Sequence, residues 1–344
     1  MMPAIGTYAF INAKVRAMRS DLLTRQDYVR FSDAKSVKEL IGMLGQTRWA
    51  LLTERVDNQD PGLLEREIFI EEMARIQNIY KRSQGTAADF LNKMLMRYDA
   101  ERLKLVLRAW YRPDSGQAHL IHKTAVHTLP IDKILHASSF PEIVLLLQGT
   151  PFYKCLFEAT GLYQERKSLF PLELAIDRFV FSTLLDAIQR LPAQDRKIAS
   201  KLIGLEIDIK NLGWMSRFKT YYHLSTAEIS DFLLPKGFRL RTDDLKAISS
   251  SDNMMQSLSD VLRGLRIHLP PGMEGELSFK QLEMFLNQAL YAEAVKTFSS
   301  FPFSIGAVLA YAYCIRFESR NIRTLLQAKA YDMSVDEIQS LLIT

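Results

Sequence analysis

Apolar residues recur three and four positions apart through most of this chain, the spacing that gathers them on one face of a helix. Runs that alternate apolar and polar residues, as a half-buried strand requires, are few. The pattern predicts six long helices, at about Leu64 to Ser83, Ala87 to Tyr111, Phe170 to Leu191, Asp195 to Tyr222, Leu277 to Ser299 and Phe303 to Ala330. They fall into three consecutive pairs. The 15 glycines and 12 prolines cluster at the breaks between runs rather than inside them, as punctuation of helices should. The predicted fold class is all-α.

The shorter segments before each pair repeat. Tyr28 to Trp49 aligns without a gap on Ile131 to Phe152, at an offset of 103 residues (131 minus 28). Identical pairs are Ala34 with Ala137, Ser36 with Ser139, Glu39 with Glu142, Leu44 with Leu147 and Thr47 with Thr150. Apolar character is kept at Phe31 and Ile134, Val37 and Phe140, Leu40 and Ile143, Ile41 and Val144, and Trp49 and Phe152. A looser third copy runs from Leu245 to Leu262.

The second helix of each pair carries its own signature, an acidic residue three places before an Asn or Arg that precedes Leu or Ile. The copies are Asp99, Arg102, Leu103; Asp208, Asn211, Leu212; and Glu318, Asn321, Ile322. Residues three apart share a helix face, so the acid and amide can meet each other and a neighbouring loop backbone, or line a common binding surface. Both families share one long period, which makes the chain a threefold internal repeat. Its units are predicted at 1–116, 117–239 and 240–344, each a short helical lead-in followed by two long antiparallel helices.

These residues resemble the family of the C subunit of V/A-type ATPases, whose counterpart in the eukaryotic vacuolar enzyme is the d subunit. Tyr8-Ala-Phe-Ile-Asn12-Ala-Lys-Val-Arg16-Ala-Met-Arg19, followed by Leu22-Leu23, is similar to that family's opening helix. Glu206-Ile-Asp208-Ile-Lys210-Asn211-Leu212, with Arg217, Lys219 and then Leu234-Pro-Lys-Gly237, resembles its middle motif. Phe317-Glu318-Ser-Arg320-Asn321-Ile322-Arg323, Lys329 and Ser334-Val-Asp-Glu337-Ile338 resemble its closing signature. Three positions depart from the family pattern: Arg102 stands for Asn, Lys14 for Arg, and Gln327 for the counterpart of Arg217.

The resemblance implies a funnel of three similar helical bundles around a central cavity, with no active site of its own. It implies a role in the central stalk of a rotary ATPase. There the wide side receives the shaft made by the D and F subunits, and the opposite side sits on the membrane proteolipid ring. The shaft-facing residues expected from it are Arg217, Lys219, Arg320, Arg323 and Lys329, with Asn211 and Asn321 as supporting groups. No catalytic, cofactor-binding or metal-binding residue is expected. The competing reading is a generic α-helical scaffold that binds partner helices, although solenoids of that kind use shorter units and variable copy number.

Composition narrows the alternatives. With 44 Lys plus Arg against 39 Asp plus Glu, the formal charge is only +5 and no polybasic arm is present, which argues against nucleic acid as a partner. The best aromatic patch for stacking bases, Tyr221 and Tyr222 beside Arg217 and Lys219, lacks such an arm. Two cysteines in 344 residues suit a reducing compartment, so the chain reads as cytoplasmic; the resemblance implies a peripheral place on the cytoplasmic face of the membrane within the complex, and a monomer is expected when the chain is isolated. Nineteen uncharged residues separate Lys296 from Arg316, nearly the length that spans a bilayer. Pro302 and four Ser or Thr residues crowd the first half, so a buried core helix starting near Phe303 is expected instead. Glycine-rich phosphate loops, nucleophile elbows and paired Cys-x-x-Cys motifs are missing from the sequence. His119, His122, His127 and His136 lie close in sequence, but without an acidic partner nearby they read as linker histidines.

Overall fold

The structure, a computed structural model, describes residues 2–50, 61–115, 121, 128–251, 253–264, 279–299 and 301–344. Among these residues the secondary structure is helical throughout, with no strand. The helices are α1 (Met2–Arg19), α2 (Arg25–Ser32), α3 (Val37–Leu44), α4 (Pro61–Tyr80) and α5 (Gly85–Tyr111). They continue with α6 (Ile131–Leu135), α7 (Phe140–Leu146), α8 (Tyr153–Glu158), α9 (Thr160–Arg166), α10 (Phe170–Arg190) and α11 (Ala193–Thr220). The remainder are α12 (Thr226–Phe232), α13 (Thr242–Ser250), α14 (Met254–Gly264), α15 (Phe279–Thr297), α16 (Gly306–Ala330) and α17 (Val335–Leu341). All six long helices predicted from periodicity are present, with ends within about three residues of the expected ones.

Local chemistry sets many of these boundaries. Thr24 and Asp27 form a reciprocal capping box at the start of α2, and Ser225 with Glu228 does the same for α12. Ser334 and Glu337 exchange the same pair of hydrogen bonds before α17. Such boxes satisfy amides that have no partner inside the helix. The five identities found between the first two copies have matching structural roles. Ser36 and Ser139 are the N-caps of α3 and α7. The Glu39 carboxylate accepts from the Lys35 amide, and that of Glu142 from the Ser138 amide. The hydroxyls of Thr47 and Thr150 donate to the carbonyls of Leu44 and Leu147, each at 2.7 Å. Ala34 and Ala137 are both buried.

The chain divides into two compact units. The first comprises Met1–Arg19, Pro192–Glu318 and Leu341–Thr344; the second comprises Ser20–Leu191 and Ser319–Ser340. The division falls inside α16, after Glu318. In the second unit α5 packs antiparallel to α10, as the pairing shows: Asp89 meets Arg190 at 2.8 Å, Lys104 meets Asp177 at 2.8 Å, and Arg108 meets Glu173 at 2.5 Å. Between these ties runs a continuous core to which Leu103, Leu107, Ile143, Phe152 and Leu172 belong.

In the first unit α1 lies against elements from the far end of the chain. The Tyr8 hydroxyl donates to Asp195 at 2.6 Å, and the Asp195 carboxylate also accepts the Ile305 amide at 2.9 Å. Asn12 donates to the carbonyls of Pro302 and Ser304, Arg16 donates to the Phe298 carbonyl at 3.0 Å, and the Arg19 guanidinium covers the Phe298 ring. Burial drives the Tyr8 phenol far above its ordinary pKa, with the Asp195 hydrogen bond and charge acting in the same direction. Deeper in the unit Glu206 accepts from Tyr313 at 2.7 Å and from Arg316 at 2.6 Å. The uncharged stretch after Pro302 is the buried half of α16, with Ile305 through Ile315 out of solvent. No helix among the described residues is long and apolar enough to cross a membrane.

Candidate partner-binding surface

The acid and amide of the middle signature hold a loop. On α11, Asp208 and Asn211 lie one turn apart on the same side. The Asp208 carboxylate accepts the amides of Phe238, Arg239 and Leu240, at 3.2, 2.7 and 3.3 Å. Asn211 donates to the Leu234 carbonyl and accepts the Leu234 amide, both at 2.8 Å. Together they fix Leu234 to Leu240, the segment containing the Leu-Pro-Lys-Gly motif. Gly237 is required for this closeness, because a Cβ there would collide with the Asp208 carboxylate and sit 2.9 Å from the Leu240 carbonyl. Burial pushes the Asp208 carboxyl up to about 6, against the pull of the three amides and of the Arg239 charge.

The other copies use the position differently. In the first copy Asp99 and Arg102 form a buried ion pair at 3.7 Å, with the guanidinium only 2% exposed. Burial lowers the Arg102 pKa, partly offset by the Asp99 charge. In the last copy Glu318 and Asn321 are both buried on α16.

The seven residues expected to meet a partner fall into two sets. Asn211, Arg217 and Lys219 are on α11 in the first unit, and Arg320, Asn321, Arg323 and Lys329 are on the part of α16 that belongs to the second. Asn211 is 0% and Asn321 1% exposed, so neither presents a side chain to solvent. Arg217 is exposed. It borders a cavity of about 190 Å³ lined also by Ile209, Leu212, Tyr221, Glu283 and Leu286. Arg320 and Arg323 are half-buried. The Arg323 charge acts on Glu65 of α4, whose carboxyl burial pushes up while the Gln327 hydrogen bond and Arg323 pull it down.

Both lysines of the set are engaged with backbone. Lys219 donates to the carbonyls of Ser249, at 3.3 Å, and Ser251, at the end of α13. Lys329 donates to the Ser32 carbonyl at 2.6 Å, at the end of α2. Lysines suit this place, because the last carbonyls of a helix lack intrahelical donors and carry its negative pole. Sequence reasoning passed over their counterpart Trp110, which donates to the Ala137 carbonyl at 2.8 Å, just beyond α6. Its signal was available: Trp110 follows Arg102 by the distance at which Lys219 follows Asn211 and Lys329 follows Asn321. Tyr111, Tyr221 and Tyr331, one or two residues further on, are all exposed.

The profile of the ATP synthase (C/AC39) subunit family matches residues 11–341. The chain belongs to this family, which holds the C subunits of V/A-type ATPases. Similar relatives include the C subunits of several A-type ATP synthases. That of Methanocaldococcus jannaschii is 24% identical over 356 aligned positions, covering 100% of this chain and 88% of the relative. That of Methanococcoides burtonii is 25% identical over 98% of this chain and 94% of the relative. That of Haloferax volcanii is 25% identical over 97% of both.

As a C/AC39-family chain it is a component of an ATP synthase complex and therefore has partner subunits. Burial raises both thiols, Cys155 and Cys314, to about 12, which keeps them protonated and unreactive. Of the clustered histidines, His119, His122 and His127 lie outside the described residues. The His136 ring is 2.7 Å from the Asp132 carbonyl of its own helix. Among the described residues no group of His, Cys, Asp and Glu is placed to hold a metal ion.

Proposed function

We propose that this chain is the non-catalytic coupling component in the central stalk of a V/A-type rotary ATPase. In this reading it sits on the cytoplasmic face of the membrane, receives the shaft made by the D and F subunits, and carries its rotation to the proteolipid ring. Ion transport across the membrane and ATP turnover then take place in other subunits. The observation that carries the proposal is the match to the C subunits of A-type ATP synthases over essentially the whole length of both chains. The repeated helical units of 1–116, 117–239 and 240–344 suit such a part. Helices packed at crystal-like density have low compressibility, and an element that passes on torque must not deform under it.

In this proposal the shaft-facing residues are Arg217, exposed in the first unit, and Arg320 and Arg323, half-buried in the second. Lys219, Lys329, Asn211 and Asn321 support them by holding the adjoining helix ends and loops. The test is co-purification of the tagged chain from membranes with identification of the attached subunits. Recovery of shaft and ring subunits is expected; recovery of the chain alone would overturn the assignment. Changing Arg320 and Arg323 together to Gln should weaken capture of the shaft subunits at least severalfold; because both are half-buried and Arg323 acts on Glu65, a thermal melt beside it shows that the variant is folded. Undiminished capture removes both residues from the interface.

A further inference from the structure

We propose that a groove between α11 and α15, in the first unit, is the docking site for one amphipathic helix of a partner subunit. That helix is apolar at two positions seven residues apart and acidic where it meets Arg217. Which subunit supplies it rests on the coupling role, in which it belongs to the foot of the shaft; the groove itself does not.

Two cavities adjoin along α11. One, of about 190 Å³, is lined by Ile209, Leu212, Gly213, Leu282 and Leu286, with Arg217 at its border. The other, of about 120 Å³, is lined by Leu205, Ile209, Leu262, Phe285, Leu286 and Ala289. Lys201 and Glu293, an ion pair at 2.5 Å, border it as well. The lining positions rise along α15 as they fall along α11, so the two helices run antiparallel and form the walls of one groove. Ile209, Leu212 and Leu286 belong to both cavities. Leu205, Ile209, Phe285 and Leu286 are only half-buried, which leaves apolar surface in water that a partner's burial would stabilise.

The spacing points to a helix as the occupant. From Leu205 and Ile209 in one cavity to Leu212 and Ser216 in the other is a shift of seven residues (212 minus 205), two turns or about 10.5 Å along α11. Side chains at i and i+7 of a docked helix have the same separation, and such pairs are how amphipathic helices anchor in grooves. An apolar cavity of about 150 Å³ can hold benzene, so each of these takes one large apolar side chain.

The glycines of the first unit support an approach from outside. A Cβ on Gly204 of α11 would lie 2.8 Å from the Cβ of Phe238, so the chain's own packing needs that glycine. Gly213 stands inside the same helix and lines the larger cavity, yet a Cβ there would meet no described atom within 4 Å. Glycine inside a helix weakens it, and at this place it opens the helix backbone to whatever enters the groove. Charge then sets the direction. Arg217, one turn after Gly213, is exposed and forms no ion pair among the described residues. Glu283 on the opposite wall is exposed too, which places the acid of the docked helix on the α11 side.

The test purifies the full-length tagged chain from membranes and quantifies the shaft subunits recovered with it. Gly213→Leu fills the larger cavity and should cut that recovery about tenfold, as loss of an interface anchor does. Its thermal melt should stay level or rise, because leucine is the better helix former. Arg217→Gln should cut recovery severalfold and flatten its dependence on salt. A second readout is Gly213→Cys in a background with Cys155→Ser and Cys314→Ser. Its thiol should react readily with a maleimide in the isolated chain and about tenfold more slowly in the complex, where a partner covers it. Ready labelling in both states overturns the proposal. So does slow labelling in the isolated chain, or a lowered melt in Gly213→Leu, since either means that the chain's own residues fill the groove. Undiminished recovery with Gly213→Leu, while wild type recovers the shaft, overturns the groove alone. If wild type recovers no subunit, the coupling role fails and the groove falls with it.

Discussion

The first and middle signatures occupy the same place on the second helix of their copies and do different work. In the middle copy Asp208 and Asn211 hold a loop through its backbone, with five hydrogen bonds. In the first copy Arg102 takes the place of the amide, and the acid is spent on a buried ion pair within one helix. A repeat can thus keep its geometry while exchanging the interaction that fills it. The exchange alters the risk: a backbone clamp that loses one oxygen leaves neutral amides, whereas a buried pair that loses one partner leaves a charge.

The comparison breaks most sharply at Asp99. Asp99→Ala should cost about 3–5 kcal/mol by leaving the Arg102 guanidinium buried without that carboxylate, read by urea unfolding followed in the second unit. A loss under about 1 kcal/mol would mean the pair is no more than a surface contact in energetic terms.

The middle copy should show a pH dependence with a definite sign. Burial raises the Asp208 carboxyl from 3.8 to about 6, so between those values the folded chain binds a proton that the unfolded chain has released. Its contribution is therefore fully present below the ordinary carboxylate value and is lost as pH rises to about 6. The change approaches 3 kcal/mol at roughly 1.4 kcal/mol per pKa unit. The difference in stability between wild type and Asp208→Asn, measured from pH 3.5 to 7, should carry that slope. A flat difference would mean the three amides keep the carboxylate ionised throughout.

Gly237→Ala tests how tightly the clamp closes. The intruding Cβ should cost about 1–3 kcal/mol, as overpacking generally does. The penalty should fall in an Asp208→Ala background, because the carboxylate it would strike is gone, and what remains is the approach to the Leu240 carbonyl. Full additivity in that double-mutant cycle would place the strain elsewhere. The smallest effect is expected at the shared turn, where Thr47→Val and Thr150→Val each remove one hydroxyl bond to a carbonyl. Each should cost about 0.5–1.5 kcal/mol, and similar values in the two copies would show that the repeat extends to energetics.

Much of this was legible before any coordinates. The identities between Tyr28 to Trp49 and Ile131 to Phe152 turned out to be caps and turn bonds, interactions made within a few residues. What escaped was everything set by partners distant in sequence. The Asp208 and Asn211 clamp was open as one of two readings, and only the approach of Leu234 to Leu240 fixed what it holds. The attachment of α1 through Tyr8, Asn12 and Arg16 to residues beyond position 190 carried no local signal. Trp110 went unnoticed because a tryptophan and a lysine do not look alike, although each offers an N–H to the same kind of carbonyl.

The sequence by itself determined the all-helical class and the six long helices with their approximate ends. Apolar periodicity, capping residues and spacing act over a few turns and need nothing else. Tertiary structure alone decided which polar side chains stay in solvent and which turn inward. A lysine on a helix surface gains little until another helix presents unpaired carbonyls to it, and that meeting depends on packing between segments from about 30 to about 300 residues apart.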